Sequence, residues 1–524
     1  MTSSRILELT KSAEVSIKHR DYQSAHQSLL KILQINPKYA DAFFLLAKIP
    51  LEVRNIDKAI ELIERAIKLS PQNPKYQVYL TKCFAIKGDI PKTAQWAEKA
   101  INNKPDSAFD FDILGVAYSR IGLHEKAKEQ FLKAISLNSN ESNFHYNLAS
   151  SLKFLSEFET ARNTYEKAIS INPRHFKAHS ALTGLGGITS QNNHIERLST
   201  LISETEDPVD LLLLSHALAS EYEALNQHKK AFKILDEAKC RRIDQLGYSF
   251  NEDEEMFQSL TNIFSDANIQ FSKGFDTEKA IFVVGMPRTG TTLVERIISN
   301  HTKVKSAGEL HNFEILLRQM SQLSNTKIVT KNSMNRASNI DFFKLGQAYI
   351  ESVYPLTGET DRFVDKLPLN VLHAGFISKA LPRCKIICLD RNPLDTIVSN
   401  YRQIFAPQYS YCNYSNSLET TTQFYLLFKQ LVSLWQRLFP DNFCLVSYEN
   451  LVNNPETEAK KIIEFCGLDW QAQCLEIHEN TEPVATASAV QVRQPINNSS
   501  VGNWKKYDMY LLEVKRILKS AGVI

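Results

Sequence analysis

The chain has 524 residues, room for two or three domains with well-buried cores, and its 43% hydrophobic and 23% charged content is that of an ordinary soluble globular protein. A net charge of +3 gives no reason to expect nucleic acid or an anionic membrane as a partner. No run approaches a membrane span, the N-terminus MTSSRILELTKSAEVS lacks a basic-then-apolar leader, and the eight scattered cysteines suggest neither a zinc set nor a redox pair, so a cytoplasmic protein is expected.

The first half is periodic. Pro37, Pro71, Pro105 and Pro173 fall on a 34-residue grid, with Ser139 in the missing slot. Ala25, Ala59, Ala127 and Ala161 form a second column, broken by Thr93. Ala66, Ala100, Ala134 and Ala168 form a third, headed by Ile32, and Ala13, Ala47, Gly115 and Ala149 a fourth. Small residues let paired helices approach, and the proline closes each repeat. Period and columns resemble the tetratricopeptide repeat, an α-solenoid. Ala219, Ala231 and Ala238 keep the same spacing, predicting a degenerate helix pair over about 208–240, after an interruption at Thr183–Asp207. The solenoid is assigned residues 1–245 and a linker or helical connector residues 246–278. Such an array either presents a concave groove to a peptide or partner protein, with Tyr146, Asn147 and Lys153 as candidate clamp residues, or serves as a scaffold or homodimer surface.

Residues 279–524 read as a second, α/β domain. Ile281–Val284, Arg362–Val364, Lys385–Leu389 and Asn442–Val446 are predicted strands; Leu293–Ser299, Asn370–Ala380, Leu394–Phe405 and Glu419–Leu438 are predicted helices. The alternation implies a mostly parallel sheet, with ligands beyond the carboxyl ends of its strands. AIFVVGMPRTGTT (280–292) runs from strand through a glycine loop into a helix N-terminus, which gathers backbone N–H groups around a phosphate. The loop is P-loop-like, but Thr291 stands where a nucleotide-hydrolysing loop has lysine, which points to a different anionic donor. At a second strand end, Arg391 and Ser399 are spaced to share another phosphate. Two anion sites on one sheet edge suit a nucleoside carrying phosphates at both ends.

PRTGTT together with LDRNPLDTIVSNY resembles the two donor-binding motifs of the sulfotransferase superfamily, and the order of repeats then α/β domain is similar to that of bacterial tetratricopeptide–sulfotransferase proteins. Arg288, Ala307-Gly308-Glu309, Asp365-Lys366-Leu367-Pro368, and Ser488 ahead of Gly502-Asn503-Trp504 resemble the protein-tyrosine sulfotransferases most closely. The resemblance implies 3′-phosphoadenosine 5′-phosphosulfate as co-substrate and no metal. It implies Glu309 as base, Arg288 and Lys366 as stabilisers of the transferring group, and Ser488 as an assisting hydroxyl. It places the donor on Pro287, Arg288, Thr289, Gly290, Thr291 and Thr292, on Arg391 and Ser399, and on Trp504 and Lys505. Two departures stand out: the family's paired acids are reduced to Glu309, and Asn503 replaces a lysine, although Lys505 and Lys506 follow. The implied acceptor is a hydroxyl, protein tyrosine first, with glycan, lipid and small-molecule hydroxyls using the same donor machinery. His311 is a rival base, His373 reads as structural on an apolar helix, and Asp365 as a residue that orients its neighbours. Tyr409, Tyr411 and Tyr414 lie in a polar loop that is either an acceptor cover or an ordinary loop. The other classes left open are a non-catalytic repeat scaffold and a P-loop nucleotide kinase, the latter separable by magnesium-dependent ATP turnover.

Overall fold

The computed structural model describes residues 2–53, 55–266, 271–322, 332, 336–405, 410–480 and 494–524. It divides into two compact units, Met1–Leu185 and Gly186–Ile524.

The first unit is built of helix pairs: α1 (Thr2–Lys18) with α2 (Tyr22–Ile35), α3 (Ala40–Glu52) with α4 (Ile56–Leu69), α5 (Pro74–Lys87) with α6 (Ile90–Asn102), α7 (Ala108–Arg120) with α8 (His124–Leu137), and α9 (Ser142–Phe154) with α10 (Phe158–Ile171). A short α11 (Phe176–Thr183) ends it. The alanines of the two columns that start at Ala25 and Ala66 are all fully buried. Thr93 fits the same place because its hydroxyl donates to the Asp89 carbonyl at 2.6 Å. The proline grid has a local cause. Asn36, Ser70 and Asn172 close α2, α4 and α10 by donating their N–H to Ile32, Ala66 and Ala168, and Pro37, Pro71 and Pro173 follow directly, where no further helical N–H is needed. Asp21, Asn55 and Asp89, also 34 residues apart, start α2, α4 and α6 by accepting from Ser24, Lys58 and Lys92.

Gly115 is small because a Cβ there would lie 2.5 Å from the Phe131 ring, itself only 1% exposed. Gly115→Ala is expected to destabilise this unit by about 1–3 kcal/mol through overpacking. Urea denaturation of both chains checks this, and an unchanged midpoint would contradict it.

The second unit opens with α12 (Ile195–Ser203), α13 (Pro208–Ala224), α14 (His228–Leu246) and α15 (Asn251–Ser265). The sequence grouped the 208–240 helix pair with the repeats and read 246–278 as a connector; the structure packs both into the α/β unit. Phe232 of α14 stacks on Tyr510 at 3.8 Å, and Tyr401 donates to Asp236. Buried Lys239 donates to the carbonyls of Gln403 (3.2 Å) and Ser415 (2.8 Å). Phe264 of α15 meets Trp435 edge-on at 4.9 Å. Alanine spacing identifies a helix pair but not its packing partner.

Five parallel strands form the sheet: β1 (Ala280–Gly285), β2 (Val304–Gly308), β3 (Arg362–Lys366), β4 (Lys385–Asp390) and β5 (Phe443–Ser447), in the order β2-β3-β1-β4-β5. Every residue of β1 is buried, as a central parallel strand covered on both faces requires. Phe282 and Val284 join a core with Tyr349, Phe376 and Trp435, while Ile281 and Val283 join another with Val294, Ile297 and Ile462. The chain leaves β1 toward β3 and β2, then returns to the other side as β4 and β5. A crevice therefore opens beyond the carboxyl ends of β1 and β4.

Candidate functional site

β1 ends at Gly285, and α16 (Thr291–Ser299) starts after Gly290. Gly290 has φ +102°, and a Cβ there would meet the Tyr448 ring at 2.5 Å, so both backbone and space require glycine. Arg288 is non-glycine with φ +67°, a local strain of the kind that collects at binding loops. One side chain of the loop itself and two from neighbouring elements hold it. Thr289 donates to the Met286 carbonyl at 2.7 Å, Asn400 to the Pro287 carbonyl at 2.7 Å, and Arg391 Nη1 to the Arg288 carbonyl at 2.8 Å.

Arg391 leaves the end of β4 and is 9% exposed. Its Nη2 donates to the Ser500 carbonyl, its guanidinium carbon lies 4.6 Å from the Tyr448 ring centre, and its buried Nε has no hydrogen-bond partner. Asn392 caps the helix Pro393–Arg402, which carries Ser399. Asp395 on that helix accepts from the backbone N–H of Gly502 (2.7 Å) and Trp504 (2.9 Å), fixing the C-terminal turn beside the site. Sequence reasoning missed this role for Asp395, because it links residues more than a hundred positions apart. One cavity is lined by Arg288, Gly290, Thr292, Arg391, Ser399 and Trp504. Pro287, Thr289, Thr291 and Lys505 do not line it, and the two threonines are buried. Ser488 lies outside the described residues, as does Tyr409. Burial and the adjacent Arg391 push the Arg288 guanidinium down from its ordinary pKa. Like charges this close, with an orphaned guanidinium nitrogen, are what an anion would relieve.

Glu309 and Lys366 come together elsewhere on the sheet edge. Gly308 pairs with Asp365 across β2 and β3, and this register sets the next residue of each strand side by side. Lys366 Nζ, 1% exposed, donates to Glu309 Oε1. Asp365, fully buried, accepts from Tyr349 Oη (2.7 Å) and Leu310 N–H (3.3 Å), so it anchors the turn that carries Glu309. His311 Nδ1 lies 3.4 Å from Glu314; burial lowers its pKa, but the Glu314 bond and the charges of Glu314, Glu309 and Asp365 outweigh that and raise it. His373 is buried and pushed down by that burial, with its Nδ1 unpartnered. Its segment is a 3₁₀ turn, Pro368–His373, followed by the helix Ala374–Ala380, where one helix over 370–380 was predicted.

Burial pushes Asp365 up to about 7 from 3.8. The folded state then keeps a proton that the unfolded chain has lost, so stability should fall as pH rises between these values. Asp365→Asn removes that dependence. The melting midpoint of the wild type relative to this variant is expected to drop across the window and then level off. A constant difference would show that Asp365 is ionised throughout.

In the first unit, Asn147 donates to Asp112 at 2.8 Å, and Tyr146 packs against His175 at 4.9 Å. Burial lowers the pKa of Lys153. Among the described residues no helix is long and apolar enough to cross a membrane, and no three His, Cys, Asp or Glu are placed to hold a metal ion.

A parallel α/β domain with a glycine loop at the switch point and an arginine at the next strand end defines a P-loop-like domain. Residues 280–472 match the Sulfotransferase family, and residues 16–83, 112–141 and 142–175 match the Tetratricopeptide repeat. The chain thus joins tetratricopeptide repeats to a sulfotransferase-family domain. It is 30% identical over 377 residues to an uncharacterized protein of Aquifex aeolicus (strain VF5), covering 70% of this chain and 49% of that protein. It is 24% identical over 241 residues to the Drosophila melanogaster protein-tyrosine sulfotransferase, covering 43% of this chain and 46% of that one. The chain therefore spans about half the length of each of these relatives. Among solved structures it is similar to the sulfotransferase domain from the curacin biosynthetic pathway, at 16% identity over 49% of this chain and 99% of that chain, with a TM-score of 0.33.

Proposed function

We propose that this protein transfers a sulfuryl group from 3′-phosphoadenosine 5′-phosphosulfate to an acceptor hydroxyl, with tyrosine in a peptide or protein as the acceptor. The observation that carries the reading is that Arg288, Gly290 and Thr292 of the loop line one cavity together with Arg391 and Ser399, which would give cationic and N–H donors for two phosphates. The donor would supply an activated sulfuryl group on its 5′-phosphate. Thr292 and the loop amides would hold that phosphate, and Arg391 with Ser399 would hold the 3′-phosphate. Trp504, whose backbone Asp395 fixes, offers an aromatic face in the same cavity.

In the transfer, the acceptor oxygen bonds to sulfur as the bridging S–O bond breaks, and that electron pair passes to the 5′-phosphate. Glu309 takes the hydroxyl proton, while Arg288 and Lys366 offset the charge that develops. In the free protein Lys366 Nζ donates to Glu309 Oε1, which fixes the orientation of the side chain proposed as base. Ser488 is proposed to assist on family grounds. The repeats would bind the acceptor protein or another peptide partner. The eight cysteines are all free, which fits the reducing cytoplasm as the place of action.

Incubation with 3′-phosphoadenosine 5′-phosphosulfate and panels of tyrosine peptides, phenols and glycans tests the reading, with release of 3′-phosphoadenosine 5′-phosphate followed chromatographically. Acceptor-dependent release with a tyrosine peptide supports it in full. Release with glycans or phenols alone would replace the acceptor, and release with none would remove the activity.

A further inference from the structure

Arg402 closes the helix Pro393–Arg402 and lines the same cavity as Arg391 and Ser399. Its guanidinium is forked on Glu223 of α13, with Nε donating to Oε1 and Nη2 to Oε2. Tyr507 Oη donates to the same Oε1, and its ring centre lies 5.4 Å from the Arg402 guanidinium carbon. One carboxylate, well upstream of the segment 280–472 that matches the family, thus orients two groups around the cavity. Among the described residues Nη1 donates no hydrogen bond. A fork through Nε and Nη2 fixes the guanidinium plane and leaves the Nη1 edge for a ligand.

A second residue of α13 reports the same proximity. His216 stands two helical turns before Glu223. Burial and the charges of Lys239, Arg402 and Arg288 push its pKa down to about 4, so it is neutral at pH 7 and adds no further cation. The α13 face therefore borders the cations of the cavity without adding one of its own. An arginine held in place before the ligand arrives loses little freedom on binding, which favours affinity and selectivity over a mobile one.

We propose that Glu223 is a positioning residue of the donor site, holding Arg402 so that its remaining edge meets the 3′-phosphate of a nucleoside 3′,5′-bisphosphate. This rests on the donor reading above. It makes α13 a working wall of the sulfotransferase site.

The test is calorimetric titration of the full chain with 3′-phosphoadenosine 5′-phosphate and, separately, with adenosine 5′-phosphate. Arg402→Gln is expected to weaken the first ligand by about tenfold to a hundredfold, and Glu223→Gln by about threefold to tenfold, while the second changes less than about twofold. Loss of a purely structural contact would shift both ligands together. Tyr507→Phe, which removes only one hydroxyl from the same carboxylate, should shift the ratio of the two affinities the same way by a smaller factor. It keeps the test decisive if Glu223→Gln fails to fold. A wild type that prefers the 3′-phosphorylated ligand and variants that keep the full preference would overturn this inference alone. A wild type with no preference would overturn the donor reading, and this inference with it.

Discussion

Arg391→Ala lowers affinity for 3′-phosphoadenosine 5′-phosphate by about thirtyfold or more, since truncating a buried, hydrogen-bonded charge costs about 2–5 kcal/mol. Two losses combine. The charge that would meet the 3′-phosphate disappears, and so do the bonds to the Arg288 and Ser500 carbonyls that hold the glycine loop and the C-terminal segment in place. Arg391→Lys restores little, because an ammonium cannot reproduce the fork or the stacking over Tyr448. Calorimetry read beside thermal melts separates the binding loss from unfolding. Unchanged affinity would move the 3′-phosphate away from Arg391.

Glu309→Gln leaves donor affinity within about twofold while kcat falls by about 10²–10⁴-fold, the usual contribution of a positioned base. The separation follows from geometry: Glu309 bonds Lys366 and does not line the donor cavity. Single-turnover kinetics with saturating donor measure the chemical step directly. If Glu309→Gln keeps full turnover and His311→Gln loses it, the base is His311. In that case the rate should fall as pH drops through the histidine pKa, which its acidic neighbours raise.

The central β-strands, the repeat columns and the loop were legible because each rests on local pattern: an apolar run, a 34-residue period, or a glycine at a strand end. What stayed hidden depends on contacts between distant residues. β2 escaped notice because VKSAG at the sheet edge has one buried apolar residue, Val304, and no alternation. Alanine spacing located α13 and α14, but the same spacing serves a helix packing on a repeat or on a sheet, and only Phe232 against Tyr510 and Tyr401 with Asp236 show which. Glu309 and Lys366 were each named by family resemblance, but their pairing was not legible, because its physical cause, the Gly308–Asp365 register, is a property of the sheet. Asp395 and Glu223 carried no sequence signal, since an acid on a helix is ordinarily a solvated one. Within the repeats, the period identified the small-residue positions but not the Asn147–Asp112 bond that occupies one expected clamp residue.

The most direct measurement is calorimetric titration of the purified chain with 3′-phosphoadenosine 5′-phosphate, using ADP as the control. A cavity with separate donors for a phosphate at each end of the nucleoside should bind the 3′-phosphorylated ligand tightly and ADP weakly. Equal binding, or none, would contradict the donor site and with it the sulfuryl-transfer reaction proposed for this chain.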